Sequence, residues 1–224
     1  MSLTLFDGSQ IAVASTYGSA NATTAVTNAA SAVFSQTGGH GIIVGDFVEI
    51  TSPGWPGIDG RLARVSAVST NDITLEGIDT ADVNKYPVGG AASGGSLRRI
   101  TAWQTMGQIL RVGSEGGDQK WWDYQFANEL QERSLPTTKA PLRLTLELAD
   151  DLGHAQMTVL KAAEAAGTPR AMRFIFRGGS GVTPPRLVLN GLISVGTLPQ
   201  LELGKANTRL ITVGLAALPT EYNS

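Results

Sequence analysis

The residues able to do chemistry in this chain are few and scattered. There are two histidines, His40 in a glycine-rich turn and His154 in the first turn of a helical pattern, with no obvious acidic partner for either. Two imidazoles so far apart do not make the closely spaced ligand set of a histidine-rich metal centre, and neither has a nucleophile beside it in sequence to activate. Asp150 and Asp151 could share a proton as a general acid–base pair. Their position just before a helical pattern offers a simpler role, capping the first turn, where carboxylates meet unpaired N–H groups and the positive end of the helix dipole. Glycine clusters at residues 113–117 and 178–181 could let backbone approach a phosphate, yet no GxxxxGKS, GxxxxGKT or GxGxxG occurs, and no GxSxG that would present a nucleophilic serine. Asn21-Ala22-Thr23 fits the glycosylation sequon, a short pattern that chance supplies often. Cysteine is absent, so disulfides, thiolate metal sites and cysteine nucleophiles are excluded. These residues call for no cofactor, no metal and no catalytic role.

Composition narrows the classes further. A chain of 224 residues can bury a core in one large β domain or two small ones. Its charged content of 16% lies below the usual level of about 25%, which suggests that much of its surface ends up covered. A net charge of −2 and the lack of a basic run remove the electrostatic case for gripping nucleic acid or an anionic membrane. The first basic residue is Arg61, so no secretory or transit leader is expected. No apolar run approaches the roughly 18 residues of a membrane span.

The elements that would position any site divide the chain at residue 98. Residues 1–98 read as an N-terminal arm, a β-meander and a linker loop. Residues 8–45 contain no Asp, Glu, Lys or Arg and are rich in Ala, Ser, Thr and Asn. They read as a flexible arm, or as a segment that orders only against a neighbour. GDFVEI, GRLARVSAV and DITLEG then form a meander, with Trp55 between Pro53 and Pro56 as a contact residue or as the cap of the meander's own core. Residues 88–96 are a Gly, Ala and Ser-rich loop. Residues 99–224 carry the main fold: a strand over 100–112, a strand over 120–130 with Trp122, Tyr124 and Phe126 on one face, and a strand in which Leu142, Leu144, Leu146 and Leu148 alternate with polar residues. A helix over 151–166 follows, stopped by Gly167 and Pro169, with Leu152, Ala155, Val159, Leu160, Ala163 and Ala166 inward. Met172, Phe174 and Phe176 mark a return strand, and residues 186–218 two or three more. The aromatic ladder reads as core, but adjacent Trp121 and Trp122 point to opposite faces, so one of them is an interface candidate along with Trp55.

The run ITAWQTMGQILRVGSEGGDQKWWDYQFANELQERSLPTTKAPLRLTLELADD, followed by HAQMTVLKAAEAAG, PRAMRFIFRG and a β-rich tail, resembles the major tail tube proteins of long-tailed bacteriophages. The resemblance covers residues 99–222 and rests on element order rather than a short motif. It implies a mainly β subunit, a β-sandwich or partial barrel with one flanking α-helix, related in fold to the type VI secretion tube protein and closing into a ring on oligomerisation. It further implies hexameric rings stacked into a tube that conducts DNA, a virion location after assembly in the host cytoplasm, and tail terminator, tape measure and distal tail proteins as partners. Membrane anchoring is not implied. Asp123, Glu129, Glu132 and Glu147 then become candidates for the lumen, where acids would keep phosphates from sticking; six copies at −2 each carry −12. Other readings remain open: another virion protein such as a tail terminator, decoration or adhesion module, or a carbohydrate-binding module using Trp55, Trp121 or Trp122 as sugar platforms.

Overall fold

The structure is a computed structural model that describes residues 8–89, 95–151, 153–176, 186–201, 203 and 206–222. The glycine cluster at 178–181 and much of the loop at 88–96 lie outside these residues. The described chain is mainly β, with one helix. Its strands are β1 (Gln10–Val26), β2 (Val33–Gln36), β3 (Phe47–Thr51), β4 (Leu62–Val68), β5 (Asp72–Glu76), β6 (Ser96–Met106), β7 (Ile109–Glu115), β8 (Gln119–Tyr124), β9 (Arg133–Lys139) and β10 (Arg143–Ala149). After the helix α1 (Ala155–Ala166) come β11 (Arg170–Ile175), β12 (Arg186–Val195), β13 (Thr208–Leu215) and β14 (Thr220–Tyr222).

One antiparallel sheet builds two bodies. In the first, β2, β5, β4, β3, β6 and β1 follow one another, and β1 pairs back onto β2, which closes a six-stranded barrel around the expected meander. Phe34, Ile50, Leu75 and Leu97 fill its interior. In the second, β6, β1, β11, β12, β13, β10 and β7 curl around a core closed by α1, with Leu146, Leu148, Leu160, Met172 and Ile211 inside. The leucine alternation of β10 sets this register: Leu144 and Leu146 face Val213 and Ile211 of β13, and Leu146 faces Val112 of β7.

Strand β1 belongs to both bodies and corrects the reading of residues 8–45 as an arm. Its first half pairs with β11 and β6, burying Ile11, Ala12, Val13 and Ala14, and its second half pairs with β6 and β2. Irregular register between Ala14 and Ala20 lets the strand pass from one body to the other. The strand is central in the sheet, with only the side chains of residues 11–14 and Thr23 buried, and its backbone hydrogen bonds to β6, β11 and β2 do the ordering that its small side chains could not. Residue 98, the expected boundary, falls inside β6.

A seam joins the bodies. Phe47, Leu62, Ile100, Ala171, Val188 and Tyr222 pack there, with the Phe47 ring edge-on to Trp103 and Tyr222. The Tyr222 hydroxyl accepts from Arg64 N–H at 2.7 Å and donates to the Glu76 carbonyl, and Thr220 Oγ1 donates to the Leu62 carbonyl at 2.8 Å, so β14 staples the second body to the first. β12 exchanges β14 for β13 at Gly191, where a Cβ would meet Val213 Cγ1 at 2.6 Å and the Gly214 carbonyl at 2.8 Å.

Three local expectations change. The strand expected over 100–112 is two strands, broken at Gly107 and Gln108, and Gln108 takes a left-handed φ of 56°. Helix α1 starts at Ala155, with His154 at the N-cap making no side-chain cap bond. Asp150 instead pairs with Arg209 at 2.7 Å, and Asp151 accepts from Gly153 N–H. The buried helix face is Gln156, Met157, Leu160 and Ala163, while Ala155 and Ala166 stay exposed. Gln156 is buried because its amide takes both backbone groups of Gly107, the pair orphaned by the strand break. At the other end Gly167 stops the helix as expected, in the left-handed region at φ 59°.

Candidate assembly surfaces

The residues singled out in sequence separate into three places. Trp55 is in the barrel core at 1% exposure, edge-on to Tyr86, and its Nε1 donates to the Pro87 carbonyl at 3.0 Å. It is therefore no contact residue: the turn between Pro53 and Pro56 folds its indole inward, into the same core as Phe34, Ile50 and Leu75.

The second place is the hairpin of β8 and β9, which pair with each other as a separate two-stranded sheet. Gly116 and Gly117, both at positive φ, turn the chain out of β7, and a Cβ on Gly116 would fall 2.0 Å from the Pro141 carbonyl oxygen. Trp122 stacks on Tyr124 with centroids 5.2 Å apart, and Tyr124 meets Phe126 edge-on, so the expected ladder forms on one face. Its expected place in the core is corrected. A two-stranded hairpin has no second layer, and Trp121 and Trp122 are 60% and 58% exposed, one on each face. Leu130 and Leu135 are exposed on the same hairpin. Sequence reading missed β9, RSLPTTK, because Pro136 interrupts it and every residue is polar or exposed. An edge strand tolerates such a proline, since its missing N–H would have faced solvent; the Thr137-Thr138 pair was the available signal.

Three of the four acids are on this hairpin. Asp123 accepts from the Ser134 hydroxyl across the strand pair, Glu129 pairs with Arg133 at the tip, and Glu132 is exposed beside them. Glu147 stands apart, on the outward face of β10, where Arg143, Thr145 and Glu147 lie in register with Glu115, Gly113 and Arg111 of β7. That face carries two arginines and two glutamates, a balanced surface with no net grip on an anion.

The fold also assembles what sequence could not show. Arg98 and Arg170 both stack on Tyr17, and Arg173 lies over Trp103, a cation–aromatic strip drawn from β6, β1 and β11. Arg98 is neutralised by Glu49 at 2.5 Å, which also accepts from Asn190 Nδ2. Among the described residues, no group of three or more His, Asp or Glu could hold a metal ion, and no helix is long and apolar enough to cross a membrane.

No curated protein matches the chain. The phage tail tube protein (TTP) family matches residues 53–224, from the barrel's meander through the hairpin and the helix to the C-terminal strands. A mainly β subunit with one flanking helix, an aromatic hairpin left uncovered and a match over most of its length together place this chain in the phage tail tube protein family.

Proposed function

We propose that this subunit closes into hexameric rings that stack into the tail tube, through which genomic DNA passes during ejection. The observation that carries the reading is the hairpin. An isolated pair of strands is marginally stable in water at best, and this one holds two tryptophans, Phe126 and Leu135 in solvent, while the other aromatic side chains among the described residues are buried or half-buried. Such a surface calls for a neighbour, and Trp121 and Trp122 are the residues that would meet it. Strand β7 supports the same reading. It ends the sheet path with one side unpaired, an edge that ring closure would cover.

Within the tube, the balanced face of β10 and β7 suits a conduit, because each phosphate neutralised by a basic side chain would add affinity through counterion release. Glu147 is our lumen residue on that face; Asp123, Glu129 and Glu132 reach the channel only if the hairpin does. Assembly would take place in the host cytoplasm and end in the virion, with tail terminator, tape measure and distal tail proteins at the tube's ends and interior. Negative-stain microscopy and light scattering of the purified chain test this. Rings or tubes are expected, and a strictly monomeric species at millimolar concentration would overturn it.

A further inference from the structure

Beside the root of the hairpin lies a groove of about 540 Å³, lined by Leu142, Leu215 and Leu218 together with Arg61, Lys139 and Asp59. Arg61 is electrostatically incomplete. Its Nη2 donates to Thr220 Oγ1 at 3.1 Å and to the Gly77 carbonyl at 3.5 Å, while its Nε is buried with no hydrogen-bond partner. Burial holds its pKa below the ordinary arginine value, and the groups that oppose this are the hydroxyls of Tyr86 and Tyr222, not a carboxylate. A half-buried guanidinium that forms no ion pair is a ready partner for a carboxylate. Asp59 lies on the same wall with its Oδ1 accepting from Ser52 N–H at 2.8 Å, and it forms no ion pair with Arg61. Lys139 adds a second cation on the same wall.

The chain carries a matching ligand. Residues 125–132, QFANELQE, hold two glutamates and no base, with Phe126 and Leu130 exposed. Glu129 is occupied by Arg133, which leaves Glu132 free. The six and seven residues of β8 and β9 put this tip about 20 Å from its own root, too far to fold back into its own groove.

We propose that the groove receives the hairpin tip of a second copy of this chain, with Leu130 entering among Leu142, Leu215 and Leu218 and Glu132 meeting Arg61 and Lys139. Groove and tip lie at different places on one molecule, so when each copy engages a different neighbour the contact is head-to-tail. Repeated, it makes a closed ring or an open stack according to the rotation it imposes. The inference rests on the tube reading and names the contact behind it.

The absence of cysteine makes a clean test possible. The double variant Leu130→Cys with Leu218→Cys, both at exposed positions, is allowed to assemble and is then oxidised. The expected result is a ladder of covalent multimers on a non-reducing gel, with most of the chain leaving the monomer band. Each single variant should stay monomeric on the gel, because disulfide geometry requires Cα atoms within about 7 Å. A charge swap reads the polar half of the contact: Glu132→Lys should slow assembly at least tenfold, and adding Lys139→Glu should restore it. Tubes or rings without a ladder, or a ladder from Leu130→Cys alone, overturn this contact and leave the tube reading intact. A parent chain that forms no assembly overturns the tube reading and this contact with it.

Discussion

Replacing Trp55 by alanine separates a core residue from a contact residue. The indole is the largest fully buried side chain of the barrel. Truncating it leaves a cavity beside Tyr86 in the barrel core, and a buried tryptophan replaced by alanine costs about 3–5 kcal/mol. The hydrogen bond to Pro87 adds little, about 0.5–1 kcal/mol, because Pro87 is at the surface and water can take the indole's place. The sum is a large part of the roughly 5–15 kcal/mol that holds a domain folded. For a chain of this size it corresponds to a drop in melting temperature of about 10–20 °C. Thermal unfolding followed by circular dichroism measures it. Emission offers a second readout. With Trp55 gone the remaining fluorophores are Trp103, Trp121 and Trp122, the last two largely in solvent, so the folded variant should emit further to the red than the parent. A shift under about 3 °C with an unchanged spectrum would refute the placement of Trp55 in the core.

The double variant Trp121→Ala with Trp122→Ala should do the opposite, leaving monomer stability within about 0.5 kcal/mol while abolishing assembly, as seen by denaturant titration beside light scattering. Asp150→Ala strands the nearly buried guanidinium of Arg209 and should cost about 3–5 kcal/mol in the same titration. Burial pushes the Tyr222 hydroxyl up to about 12, and Tyr17 moves in the same direction for the same reason. The unfolded chain then releases these protons first as pH rises. Stability is intact below pH 10 and falls between about 10 and 12, by up to about 3 kcal/mol for Tyr222. Tyr222→Phe should flatten that alkaline slope, and an unchanged slope would show that the hydroxyl does not titrate with unfolding. Short DNA duplexes should bind negligibly even at low salt by fluorescence anisotropy; tight, salt-sensitive binding would point to the strip of Arg98, Arg170 and Arg173 and count against a passive conduit.

Periodicity made much of the second body legible. Leu144, Leu146 and Leu148 alternate because one face of β10 is buried and the other is not, and that pattern survives in any fold that keeps the strand half-covered. Gly167 marked the helix end because its left-handed φ is a local requirement. The helix start was misread because Asp150 and Asp151 satisfy a local rule, while Arg209, 59 residues away in sequence, takes Asp150 for an ion pair. The hairpin misled in the same way: Trp122, Tyr124 and Phe126 have the spacing of a core ladder, and only the lack of a second layer turns them outward.

By itself the sequence determined the β class, the meander, the leucine strand, the helix stop and the absence of thiol chemistry, all of which follow from residue type and short-range spacing. Tertiary structure decided the rest. It made a charge-free segment into the central strand β1, since ordering there comes from hydrogen bonds to β6 and β11 that no local pattern encodes. It sent one tryptophan of the four into the barrel and left two in solvent, because burial depends on what packs above a residue rather than on the residue. It also brought Arg61 to the hairpin root beside Lys139, 78 positions further along the chain, on the wall of one groove.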